Sequence, residues 1–265
     1  MNAQFFGKEV KFSMRRIRGT IRVAVVLMGL AVPLFARFKP EAYSSASDLF
    51  HASKIAFNQG KIDDAIKGFQ SLVYRFPADE YADDAQYYLG LCYMKKKDYS
   101  SAINEFRILL ESYPYSEWVD ETILMMATAY FEKSPSPDRD QTDTETALEL
   151  ARQFLIKFPH SELRAEAESL ILKCKSKLAR KLLIAIDTFV KLGKYKAAEV
   201  YLDIIDSEYP DVPEIWDAKY YRALVYSKTG RVDEAEDILT QILEDKNAPR
   251  EVRAKAGALI WKVRG

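Results

Sequence analysis

Few side chains in this 265-residue chain are of a type to do chemistry: two histidines, two cysteines and one run of acids. His51 and His160 stand apart, and neither an HExxH helix nor a cysteine–histidine cluster accompanies them. Zinc therefore lacks a ligand set. Cys92 and Cys174 both fall inside helical patterns at mostly apolar positions. Two buried free thiols are expected there, although an exported chain leaves a disulfide open. Asp138, Asp140 and Glu149 match the first, third and twelfth positions of a calcium loop. The sixth position, which needs glycine, is Asp143. A solvated acidic loop is the expectation. The glycines come singly, so no phosphate-cradling loop forms. The reading is of a protein without catalytic residues, metal or cofactor, and not an enzyme.

The elements that must carry these residues repeat along the chain. In Leu89–Pro114, Leu89, Gly90 and Tyr93 precede a polar break, and Tyr99, Ala102, Phe106, Leu109 and Pro114 follow it. This spacing predicts two short amphipathic helices joined by a tight turn and stopped by proline. Gly90 and Ala102 are expected to face each other where the helices approach. Aligned on the small residue that opens each second helix, the repeats read Ala65, Ala102, Ala147, Ala198 and Ala235. Closing prolines stand twelve residues later at Pro77, Pro114, Pro159 and Pro210. These are the residue types and spacings of the tetratricopeptide repeat, or TPR. One hairpin cannot bury its own apolar face, so the five must stack. The expected fold is an all-α TPR-type superhelix of five helical hairpins plus a C-terminal capping helix, Arg250 to Val263. Asp79 and Ser116 suit helix N-caps, and Thr142 to Glu145 has the form of a capping box. Residues 162–192 lack Pro and Gly and predict one long helix ended by Gly193.

Residues 1–36 hold six basic groups and one acid, leaving 33 basic against 38 acidic in the rest. That balance argues against nucleic acid, which needs a basic face. Basic residues through Arg22 precede a fourteen-residue apolar run, Val23 to Ala36. The run is short for a membrane span and suited to an export signal or a short anchor. Arg37 stands where a lipoprotein signal would place its cysteine, so membrane association stays open on this ground. The expected organisation is a signal-like segment 1–36, a linker 37–43, an N-terminal block 44–160 of three repeats, and a C-terminal block 161–265 of two repeats and the cap.

First helices line the inner groove of such arrays. Their fifth and twelfth positions, two turns apart, share a face. Phe50 and Phe57, Tyr87 and Met94, and Leu124 and Phe131 stand there, with Leu183, Val190, Tyr220 and Ser227 in the later repeats. The large apolar stripe suits either an extended or aromatic-bearing peptide or packing within a tight superhelix.

Over residues 46–263 the chain resembles the outer-membrane protein assembly factor family typified by BamD, a group of periplasmic TPR lipoproteins. The long third turn, SPSPDRDQTDTETALELARQFLIKFPHSEL, and the long fourth-repeat helix carry the resemblance. It implies a non-enzymatic scaffold at the periplasmic face of the outer membrane or in the periplasm. Its C-terminal repeats would dock BamA periplasmic domains, its N-terminal groove would receive unfolded outer-membrane proteins, and other Bam subunits would be further partners. Asp203, Asp206, Lys219 and Arg222 punctuate the apolar pattern of the C-terminal repeats and are the expected partner contacts. The alternatives are another periplasmic TPR adaptor, of the Tol-Pal-associated cell-division type, or a binding subunit of a cell-wall enzyme.

Overall fold

Apolar residues at helical spacing, interrupted by short polar turns every thirteen to sixteen residues except in one 28-residue run, become paired helices in the computed structural model, which describes residues 38–264. The signal-like segment and Arg37 lie outside the described residues. The hairpins are α1 (Ala46–Asn58) with α2 (Ile62–Arg75), α3 (Ala82–Lys95) with α4 (Tyr99–Ser112), α5 (Val119–Lys133) with α6 (Thr142–Lys157), α7 (Arg164–Lys191) with α8 (Tyr195–Glu208), and α9 (Ile215–Lys228) with α10 (Val232–Glu244). The terminal helix is α11 (Arg250–Arg264). All eleven are α-helices, the described part has no strand, and the architecture is a TPR array.

Each hairpin buries its apolar stripe together with the first helix of the next, so the core is a chain of overlapping clusters. Leu49, Phe69 and Leu89 belong to one, and Tyr87, Phe106 and Ala129 to the next. Leu124, Phe154 and Leu170 form the third, and Ile186, Leu202 and Val225 the fourth. The last cluster joins Ala223, Leu239 and Ile260, so α11 covers the face that no sixth hairpin occupies. First helices such as α3 and α9 contribute to two clusters each and must be apolar on two faces.

The turns have their origin in backbone chemistry. Gly60, Gly193 and Gly230 end three first helices with φ of 74°, 68° and 83°, a region that excludes most side chains. In the second repeat Lys97 occupies this place with φ 59°. The aromatic residue before each closing proline sends its N–H to the last turn of the second helix: Phe76 to Leu72, Tyr113 to Leu109, Phe158 to Phe154 and Tyr209 to Ile205.

Three local expectations are corrected. Asp79 and Ser116 do not cap helices directly. They accept the N–H groups of Tyr81 and Trp118, two residues on, in the turns that lead into α3 and α5. Gln141, not Thr142, precedes α6. Its buried amide donates to the carbonyl of Ser136 at 2.8 Å and accepts from Thr144 Oγ1, tying down the proline-containing loop. Gly90 gives room to Phe106 rather than to Ala102, since a Cβ on Gly90 would lie 2.3 Å from that ring.

Residues 38–43, expected as a linker, are docked. Phe38 and Tyr43 pack on the first cluster, and Arg75 donates to the carbonyls of Pro40 and Tyr43. The described residues hold together as one compact unit.

Candidate functional site

The inner face divides the expected groove residues by position. Phe50, Tyr87 and Leu124, at the fifth positions, are buried. Phe57, Met94 and Phe131, at the twelfth, are partly exposed. The burial has a specific cause. Four residues after each closing proline stands the residue that enters the next first helix: Tyr81, Trp118, Leu163 and Glu214. Tyr81 lies 5.1 Å from Phe50, centroid to centroid. Trp118 stacks on Tyr87 at 4.4 Å with 6° between the planes. Leu163 packs into the cluster that holds Leu124. Counting positions within first helices could not find these plugs, because they stand just outside those helices. Counting from the prolines would have found them.

The plugs are fastened by polar contacts. Trp118 donates its indole N–H to Asp84 at 2.6 Å. Burial pushes the Asp84 carboxyl above its ordinary range, against that hydrogen bond. Burial also raises the Tyr87 hydroxyl, with a further push from a hydrogen bond to Glu121.

At the fourth entry point the plug is a carboxylate. Glu214 is buried and accepts from Ser176 Oγ and Arg180 Nε of α7, each at 2.6 Å. Asp211 takes Lys175 of the same helix at 2.8 Å, and Asp187 accepts the Tyr221 hydroxyl at 3.0 Å. Hydrogen bonds from Lys175 and Lys191 hold the Asp211 and Asp187 carboxyls below their ordinary range. Ionic and polar contacts thus join α7 to α9 and to the loop before it, where the first two seams use aromatic contacts and the third uses Leu163.

Clefts open along the first helices among the described residues. One, of about 420 Å³, lies between Phe131, the loop 134–137 and Lys177 of α7. Lys177 donates to the Ser134 carbonyl at 3.0 Å and sits over the Phe131 ring, and burial lowers its pKa. A second, about 320 Å³, is lined by Leu183, Asp187, Asp217 and Tyr221. A third, about 460 Å³, lies between α9 and α11 and includes Tyr220 and Ser227, both expected groove positions.

The expected partner contacts come together only in part. Arg222 is mostly buried and donates to Asp203 at 2.9 Å and Asp206 at 2.7 Å, joining α9 to α8. Its charge is spent within the chain, while Asp203 and Asp206 stay exposed. Lys219 lies over the Trp216 ring. The remaining candidates are separate. Cys92 and Cys174 are buried free thiols in different clusters, each pushed by burial up to about 12. Of the acidic run, Asp140 in the loop accepts from the Thr142 N–H, while Asp143 and Glu149 lie in α6, where Asp143 pairs with Lys133 and Glu149 accepts from Gln153. Among the described residues no three His, Cys, Asp or Glu gather as a metal site. No described helix is long and apolar enough to cross a membrane.

A helical-hairpin array with side-chain clefts and carboxylates committed to structural pairs is of the TPR class. A family described as outer membrane lipoprotein, YfiO, matches residues 42–240, and the chain belongs to that family. Two relatives bear the name outer membrane protein assembly factor BamD. One, from Neisseria meningitidis, is 23% identical over 219 residues, covering 78% of this chain and 80% of its own length. The other, from Caulobacter vibrioides, is 23% identical over 150 residues, covering 57% of this chain. That match spans 49% of the Caulobacter protein. Among solved structures, a TPR repeats protein from Bacteroides fragilis is 13% identical, covering 84% of this chain and 99% of that one with a TM-score of 0.47. The resemblance drawn from the third turn and the long helix is met by both the family match and the named relatives.

Proposed function

We propose that this chain is a non-catalytic scaffold of outer-membrane protein assembly, acting at the periplasmic face of the outer membrane or in the periplasm. The observation that carries the reading is the family match across residues 42–240, which takes in most of the five hairpins. In this reading residues 44–160 receive unfolded outer-membrane protein segments and residues 161–265 dock BamA periplasmic domains, with other Bam subunits as further partners. Phe57, Met94 and Phe131 contact the segment, while Phe50, Tyr87 and Leu124 support them from beneath. Asp203, Asp206 and Lys219 meet the partner, and Arg222 holds the two aspartates in place. A scaffold needs surfaces held at fixed spacing. The 28-residue α7, with its ionic ties to Asp211 and Glu214, supplies that stiffness.

The test is capture of the purified BamA periplasmic region by the immobilised full chain at moderate salt. Capture is expected, and Asp206→Lys with Lys219→Glu should weaken it while the helical signal stays the same. Failure to retain the region, together with recovery of Tol-Pal components from native membranes, would turn the reading toward the cell-division adaptor.

A further inference from the structure

We propose that the cleft between α9 and α11 binds a short acidic peptide segment with large apolar side chains. The cleft's own chemistry supports this, whichever proteins the scaffold serves. Tyr220 and Leu224 of α9 face Leu259 and Val263 of α11 across about 460 Å³. That volume lies within the range of about 300–1,000 Å³ found for small-ligand pockets. It admits a few residues of chain, not the face of a folded domain.

The cleft is open for a structural reason. At the earlier seams a residue four places after the closing proline covers the inner face. Here α11 begins at Arg250, directly after Pro249, so the residue four places on is Arg253, inside the helix. No entering side chain of the Tyr81 or Trp118 kind is available to fill the step.

The rim decides the ligand's charge. Lys228, Lys255 and Lys262 line the cleft and no carboxylate does. Lys255 shares its charge with Asp217 at 3.5 Å and Glu251 at 3.1 Å. Lys228 and Lys262 form no ion pair with any described carboxylate and are exposed. In a chain with 39 basic and 39 acidic residues, this rim of one sign is a local arrangement. Cationic side chains above an apolar floor complement a segment whose carboxylates meet the rim while its apolar side chains enter the cleft.

The test uses the full chain and a fluorescein-labelled hexapeptide alternating Glu and Phe, read by anisotropy. Saturable binding is expected, falling as salt is raised from about 50 to about 300 mM. Replacing Glu by Gln in the peptide should weaken binding by about ten-fold. Lys228→Glu with Lys262→Glu should weaken the Glu–Phe peptide by about ten-fold too, with the melting temperature held. Reversal of Lys67 and Lys181, on α2 and α7, alters net charge equally and should leave affinity unchanged. No saturable binding, equal affinity for the Gln peptide, or equal loss from the two double reversals would overturn the assignment.

Discussion

The two ends of the array are built on one repeat pattern and finished differently. In the first two repeats, Tyr81 and Trp118 lie against Phe50 and Tyr87, and the inner face there is covered by aromatic contact. In the C-terminal half the corresponding residue is Glu214, bound to Ser176 and Arg180, and clefts lie beside Leu183, Tyr220 and Tyr221. Groove character is therefore set less by the residues of the first helices than by the single residue that enters from the next repeat. An aromatic entry residue turns the stripe beneath it into core. A charged one fixes the seam and leaves neighbouring space open.

The largest effect should come from removing an aromatic plug. Trp118→Ala deletes the stack on Tyr87, the packing in its cluster and the indole bond to Asp84. Loss of a large packed aromatic should cost about 3 kcal/mol. Thermal unfolding should show this as a fall of several degrees, and hydrogen exchange should place the loosening in α3–α5. In an array whose stability is nearly a sum of neighbour terms, the last two hairpins should be spared. A uniform loss of protection would show that the two halves are not energetically separate.

A smaller effect tests whether the sealed half still offers a surface. Phe57→Ala with Met94→Ala removes two partly exposed side chains above buried support. Affinity for an extended, aromatic-bearing segment of an outer-membrane barrel should fall about ten-fold. Stability should fall less, because neither side chain is fully buried. Unchanged affinity in the folded double variant would assign the whole stripe to packing.

Much of this array is legible in the chain. The alanine and proline registers place all five hairpins, and the absence of Pro and Gly between 162 and 192 places α7. The sequence does not show which apolar residues end buried. Phe50 and Phe57 look alike by spacing, yet only Phe50 lies beneath an incoming tyrosine, and that tyrosine belongs to the next repeat. Arg222 misleads for a related reason. Its fate depends on α8 and α9 lying side by side, which brings Asp203 and Asp206 within hydrogen-bond reach. Residues 38–43 carry no helical period, and their order rests on contacts made across the fold, the packing of Phe38 and Tyr43 on the first cluster and the hydrogen bonds from Arg75.

Glu214→Leu converts the ionic seam to the apolar type that Leu163 supplies one repeat earlier. The Arg180 side chain is 61% exposed and stays hydrated when the carboxylate is removed, so an apolar side chain that fills the site should be nearly neutral. The expected change in stability is within about 1 kcal/mol, whereas Glu214→Ala, which leaves a void in the same place, should be the worse of the two. If leucine proves as damaging as alanine, the carboxylate is required for geometry and the two seam types are not interchangeable.

The smallest effect separates the halves by the sign of their response to acid. Asp187 and Asp211 are held below the ordinary carboxyl value of 3.8 by hydrogen bonds from Lys191 and Lys175. Such groups contribute stability that is present above 3.8 and is lost as pH falls through their lower folded-state values. Asp84 lies on the other side: burial raises its carboxyl above 3.8, so protonation favours the folded state and its contribution grows as pH falls. Solvent screening limits the effect, since the Asp211 side chain is 53% exposed, and a few tenths of a kcal/mol per exposed pair is the scale. As pH falls below 3.8 the ties made by Asp187 and Asp211 should therefore weaken while the Trp118 seam holds. Amide exchange, corrected for its intrinsic pH dependence, should rise first in α8–α10, with the near-ultraviolet signal of the stacked Trp118 and Tyr87 retained. Loss of that signal before the C-terminal amides open would mean that carboxylates do not hold the two halves differently.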